Sequence, residues 1–518
     1  MLNSTSVKTR FLVSIGVNLM RSLIGFFSGM LVARALGPSN YGDLAFLIGS
    51  FSSIFSLLDM GASNAFFTFL SRRSRGILFY AAYYLWVGFQ FSITLLSVAF
   101  ILPDYLFQKI WLGNDRGIVI VSLFAVFMQQ QVWQIVNQIG ESMRKTIKVQ
   151  LLNFYVSLIY ILGVITLMAL ERLSLKSLML LMISQYVLAT IVAYIALRNK
   201  QNSYIEERIS VQQIFKEYWE YGSPLIILSF FVFLYNFTDK WMLQRFGGSI
   251  QQGYFQISNQ FSTVSLLATA SILSVFWKEI AHAWENNDFL RVECLYRKVS
   301  RGLVMLGAII SGLLIPWAEQ IVKVVLGISY LNASPVVAIM LLYPIHQSMG
   351  QISGAMLLAS GRTKIHMYIT VSTILISLPI TYILLATSNY FSSNMGALGL
   401  SLKMVILGGL SVNIQAWIIS KINGWQFDWK FQAIGIPLVV AIGYMVNLLV
   451  GEIWNLNNNS IENFFIPFIL NTFLYTIVVF WMILLFPWLI GLEKKEVTHL
   501  IASIINRFNI MKSRFSIT

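Results

Sequence analysis

Several ionisable and amide side chains stand inside long apolar stretches of this chain, where each is costly and marks either a path or a partner. Arg21 is the clearest case, about 15 Å from the start of the first apolar run at 1.5 Å per residue. A guanidinium keeps its charge and offers paired donors suited to phosphate. Asn18 and Ser22 flank it on nearly one face. The alternative is an arginine that snorkels or pairs across helices. Asp59, in the second run, could be that partner, could carry a coupling proton, or could cap a helix at Met60-Gly61-Ala62-Ser63. Asp239 and Lys240, near the end of the seventh run, could line a path or pair locally. Lys403, one to two turns into the twelfth, could line the same path or snorkel outward. Glu319 and Lys323 have the i, i+4 spacing of a structural helix pair.

Amides form a second set. The fourth run holds Gln129, Gln130, Gln131, Gln134, Asn137, Gln138 and Glu141, and of these Gln130, Gln134, Gln138 and Glu141 fall on one stripe. The eighth run adds Gln256, Asn259 and Gln260; the tenth adds His346, Gln347 and Gln351. Such faces join helices or meet hydroxyl-rich ligands. His346 could carry a coupling proton or be a satisfied interior histidine. The chain has no Asp-x-Asp pair, no metal-spaced His/Glu set and no phosphate-binding glycine loop. The expectation is a protein that is not an enzyme and holds no cofactor or metal. Cys294, the single cysteine, excludes an intramolecular disulfide.

These side chains need elements to hold them. Of the 518 residues, 57% are hydrophobic and 11% charged, against about 25% charged in soluble domains. Spanning helices need about 20 apolar residues, and about fourteen such runs occur. None alternates as barrel strands do. The first run follows Lys8 and Arg10 as a signal peptide would, yet it is too long and lacks a clean cleavage site, so it reads as a retained helix. With the N-terminus inside, 26 of the 36 Lys and Arg fall in inside loops. That placement supports N-in and C-in ends by the positive-inside rule. It explains the net charge of +15 better than nucleic acid does. The segments Tyr204–Tyr221 and Glu279–Ser300, and the tail around Val497–Phe508, are amphipathic. They read either as interfacial helices or as connecting helices packed on the bundle.

Two echoes suggest an internal repeat. Leu36-Gly37-Pro38-Ser39-Asn40-Tyr41-Gly42 returns as Phe246-Gly247-Gly248-Ser249-Ile250-Gln251-Gln252-Gly253, and Arg144-Lys145-Thr146 returns as Arg362-Thr363-Lys364. The two offsets are 210 and 218 residues. Two six-helix bundles in parallel orientation follow: an N-lobe over 1–200, a linker over 201–221, a C-lobe over 222–420, two further spans over 421–490 and an amphipathic tail over 491–518. The expected fold is an all-α membrane protein.

The stretches Ala33–Gly42, Leu58–Gly61 with Phe69–Arg73, Asp239-Lys240 before Phe246-Gly247, and Gly396–Gly399 carry a family resemblance. Through them the chain resembles the polysaccharide-biosynthesis branch, the O-antigen or Wzx-type flippases, of the multidrug/oligosaccharidyl-lipid/polysaccharide exporter superfamily. The resemblance covers essentially the whole chain. It implies passage of an undecaprenyl-diphosphate-linked oligosaccharide (an O-antigen, capsule or exopolysaccharide unit) from the cytoplasmic to the outer leaflet of a bacterial inner membrane, by alternating access. It implies the lipid-linked oligosaccharide, membrane lipids and the polysaccharide polymerase machinery as partners, and no nucleic acid. Such a cargo needs cations, hydrogen-bonding groups and aromatic faces. The residues expected along its path are Asn18, Arg21, Asp59, Gln130, Gln134, Gln138, Asp239, Lys240, Gln260 and Lys403, with Asp59 and His346 for coupling. A lipid II flippase and an ion-coupled multidrug antiporter are the alternatives. A glycosyltransferase or polymerase would need a catalytic loop, for which the outside loops are too short.

Overall fold

The computed structural model describes residues 7–197, 210–264, 266–387, 393–453 and 462–496. The expected amphipathic tail at Val497–Phe508, and the start of the expected interfacial segment at 204–209, lie outside them. The described residues contain helices and no strand. In order the helices are α1 (Val7–Asp59), α2 (Ala62–Arg72), α3 (Ile77–Leu96), α4 (Asp104–Trp111), α5 (Arg116–Phe127), α6 (Trp133–Ser142), α7 (Thr146–Ala169), α8 (Leu175–Leu197) and α9 (Val211–Val264). Then come α10 (Leu267–Glu285), α11 (Phe289–Leu314), α12 (Ala318–Leu326), α13 (Ser334–Met340), α14 (Tyr343–Ala359), α15 (Thr363–Leu385), α16 (Gly396–Asn423), α17 (Ile436–Ile453) and α18 (Glu462–Leu485). Among the described residues, 12 helical segments are long and apolar enough to cross a membrane. Leu85, Phe100, Ile195 and Leu448 are exposed apolar side chains on such segments, as lipid-facing positions require. The protein is a multi-pass helical membrane protein.

Two of the 12 segments are interrupted. In α1, Gly37 leaves helical geometry at φ 73, ψ 170. Glycine tolerates that φ, and the following Pro38 disfavours the helical region for the residue before it. In α9, Gly248 does the same at φ 76, ψ 178. The two breaks are 211 residues apart and separate apolar runs that the sequence shows as distinct. A second pair of matching turns ends α6 and α14. Lys145 N bonds Gly140 O at 2.9 Å and Arg362 N bonds Leu357 O at 2.8 Å. Arg144 and Gly361 take the left-handed conformation at φ 58 and φ 73, as helix C-caps of this type do.

The chain divides into two compact units. One comprises Met1–Gln260, Val325–Val336 and Val371–Lys403; the other comprises Phe261–Val324, Val337–Thr370 and Met404–Thr518. In the first unit, Phe66, Phe79, Tyr83 and Ile135 form a core that also buries Ile214. The beginning of α9 is therefore packed on the bundle through Ile214 and Tyr218, while Phe215 and Trp219 on its other side are exposed and stack at 6.3 Å. In the second unit, α11 and α17 approach closely: a Cβ on Gly443 would overlap the Gly312 carbonyl. Asp288 caps α11, accepting from Arg291 N at 3.1 Å, and Arg301 on the same helix chelates Asp428 at 2.5 and 2.8 Å.

Candidate functional site

Eight polar residues of the first unit, Ser52, Ser56, Asp59, Ser63, Asn64, Gln130, Gln131 and Ser229, line a cavity of about 320 Å³. Its wall starts on α1, where Ser52, Ser56 and Asp59 follow at spacings of four and three and share a face. Gly61, left-handed at φ 81, ends that helix turn and starts α2. Asp59 then accepts from Ser63 N at 3.0 Å. Its carboxylate both caps the first turn of α2 and lines the cavity, so the capping alternative and the cavity placement hold together. The opposite wall is apolar apart from Ser229, with Leu225, Leu228 and Val232 of α9.

The third wall depends on a change of helix type. Met128–Val132, between α5 and α6, is a π-helical turn. Its wider i→i+5 spacing shifts the register of the amide row, as π turns do at many functional sites. Gln130 and Gln131 line the cavity. Gln130 Nε2 donates to Ser52 Oγ at 2.5 Å, and Ser52 Oγ donates to Ile48 O at 2.6 Å. Gln138, buried, donates to Ser63 Oγ at 2.7 Å and Ser63 O at 3.2 Å. Gln134 is exposed. The stripe thus divides: Gln130 and Gln138 hold the serines of α1 and α2, and Gln134 is not among the cavity-lining residues. Asn137 and Glu141 take helix-joining bonds instead, Asn137 from Asn153 at 2.8 Å and Glu141 from Gln150 at 3.3 Å.

A buried ionic group occupies the same unit. Asp239 forms an ion pair with Lys403. Thr381 Oγ1 donates to Asp239 at 2.8 Å and lies 3.0 Å from Lys403 Nζ, and the Lys403 ammonium sits 4.9 Å from the Tyr235 ring centre. Asp239 therefore binds Lys403, from the twelfth run, rather than the adjacent Lys240. Lys240 points to α1, across Gly49. Gln260 is a clasp: it accepts from Tyr41 Oη at 3.0 Å and donates to Phe26 O at 3.2 Å and Gly25 O at 3.3 Å. Asn18 and Arg21 are half-buried on the first half of α1. Arg21 makes no ion pair or hydrogen bond with any described residue, and the Asp59 partner considered for it is absent. His346 belongs to the other unit, half-buried beside Gly409, whose Cβ would lie 3.2 Å from the imidazole.

Sequence reasoning did not single out Ser52, Ser56, Ser63 or Thr381. The serines carried a signal, because 52, 56 and 59 repeat at helical spacing within an apolar run. Thr381 carried none. Among the described residues no group of three or more His, Cys, Asp or Glu could hold a metal ion. The cavity's polar groups are hydroxyls, amides and one carboxylate, which together donate and accept hydrogen bonds.

The chain has likenesses among known families and solved structures. The polysaccharide biosynthesis protein family model matches residues 7–277, and the MatE family model matches residues 224–383. No curated protein matches the sequence. Among solved structures, the lipid II flippase MurJ in an inward closed conformation is 15% identical, with a TM-score of 0.65 over 90% of this chain and 98% of that one. A multidrug resistance MATE family transporter of the MOP superfamily is 13% identical in each of two states. Its inward-facing form gives a TM-score of 0.55 over 82% of this chain and 96% of that one. Its outward-facing form gives 0.52 over 80% and 94%. The fold is the one these flippases and transporters share. Matched over more than half its length by that family's model, the chain belongs to the polysaccharide biosynthesis protein family.

Proposed function

We propose that this protein flips an undecaprenyl-diphosphate-linked oligosaccharide from the cytoplasmic to the outer leaflet of a bacterial inner membrane. The family match supports a polysaccharide precursor as cargo. The observation that carries the reading is the cavity bounded by Ser52, Ser56, Asp59, Ser63, Asn64 and Gln130. Hydroxyl, amide and carboxylate groups together both donate to and accept from sugar hydroxyls. Fourteen spans with both ends inside, alternating access and the absence of any catalytic step belong to the same proposal, as does association with a polymerase. Arg21, unpartnered within the described residues, supplies a cation for the diphosphate.

Deletion of the gene followed by analysis of every surface glycan tests the proposal. Loss of one O-antigen, capsule or exopolysaccharide, restored by the wild-type gene, is the expected result. Lysis on depletion would transfer the reading to lipid II. Unchanged glycans with new drug sensitivity would transfer it to cation export.

A further inference from the structure

Two long polar side chains of α9 lie across glycines of α1, at matching places in the repeat. Gln260 lies over Gly29 and Lys240 over Gly49; both the side chains and the glycines are 20 residues apart. The repeat offset of 211 residues relates Gly29 to Lys240 and Gly49 to Gln260, so the two contacts are reciprocal. They are satisfied differently. Gln260 is held by Tyr41, Gly25 O and Phe26 O. Lys240 makes no hydrogen bond or ion pair with any described residue. Its neighbour Asp239 makes its ion pair with Lys403 and accepts from Thr381, and reaches Lys240 only through its charge.

A half-buried ammonium without an acceptor is unfavourable, and a structural strap in that place would bond backbone carbonyls as Gln260 does. The notch at Gly49 admits the lysine only because it has no side chain: a Cβ there would stand 2.5 Å from Lys240 Nζ. Gly49 is buried one turn before Ser52, the nearest α1 residue that lines the cavity. That is a rise of about 4.5 Å at 1.5 Å per residue. We infer that Lys240, seated in the Gly49 notch, is an anion-binding site at the edge of the cavity that takes a diphosphate. The inference rests on the lipid-linked reading of the function for the identity of its ligand, and the diphosphate could reach the site lipid-linked or free.

The test uses the full chain in nanodiscs and compares binding of geranylgeranyl diphosphate with that of geranylgeraniol. Lys240→Gln is expected to weaken the diphosphate ligand about ten- to hundredfold, the range for one charge-assisted hydrogen bond, and to leave geranylgeraniol binding in place. Lys240→Arg retains most of the affinity. Gly49→Ala, which keeps the lysine and displaces its ammonium, weakens the diphosphate ligand selectively and serves if Lys240→Gln does not fold. Competition by inorganic pyrophosphate assigns the site to free diphosphate as well; failure to compete assigns it to the lipid-linked form. Unchanged diphosphate binding in Lys240→Gln, or equal loss of both ligands, overturns the inference. Selective loss in Lys240→Gln with intact glycans in the deletion strain would instead keep the site and sink the proposed cargo.

Discussion

Asp239, Lys403 and Thr381 share one buried cluster, so truncating either charge leaves the other without a counter-ion. Asp239→Asn or Lys403→Met is expected to lower stability by about 3–5 kcal/mol, the cost of an uncompensated buried charge. The double replacement Asp239→Leu with Lys403→Met should recover most of the loss, because neither charge is then stranded. Thermal unfolding of the three purified variants checks this; additive losses in the double variant would show that the two residues act separately. Arg21 behaves differently. It has no described partner to strand, so Arg21→Ala should leave the protein in the membrane at wild-type abundance while surface glycan falls away. Quantitative immunoblotting beside glycan staining measures both, and normal glycan in that strain would remove Arg21 from the path.

At the scale of elements, the two hairpins at Gly37 and Gly248 lock reciprocally. A Cβ on Gly42 would overlap the Ser249 carbonyl, and one on Gly253 would overlap the Pro38 carbonyl. Asp43 adds bonds from Ser249 at 2.6 Å and Gln244 at 2.8 Å. Gly42→Val and Gly253→Val should each cost about 1–3 kcal/mol or more as overpacked sites, read as a lower unfolding temperature, whereas Gly25→Ala, with nothing within 4 Å, should be near neutral. Much of this level was legible: Gly37-Pro38 marks a break by backbone chemistry alone, and long apolar runs mark spans. The facing of the helices was not. Lipid-facing and core-facing sides are both apolar, so periodicity does not tell them apart. The π turn at Met128–Val132 is a hydrogen-bonding choice that leaves no residue signature, and it determines which glutamines meet Ser52 and Ser63. Asp239 and Lys403 were visible as buried charges, but their partnership spans 164 residues and no local spacing reveals it.

For the whole molecule, the charge pattern of the loops makes the orientation testable. After Cys294, which is exposed, is replaced by serine, a cysteine at Ser74 should react only with reagents that reach the cytoplasmic side. One at Asn114 should react from outside. The reverse pattern, or both sites on one side, would contradict the N-in arrangement and the span count between them. The central claim concerns cargo, and the most direct measurement is transfer in a defined membrane. Purified protein is reconstituted into vesicles containing a fluorescent undecaprenyl-diphosphate oligosaccharide, and a membrane-impermeant quencher is added. The account predicts that the fluorescence protected in protein-free vesicles becomes quenchable with the wild-type protein, and that Arg21→Ala restores the protection. A protected fraction unchanged by the wild-type protein, with the protein folded and correctly inserted, would contradict it.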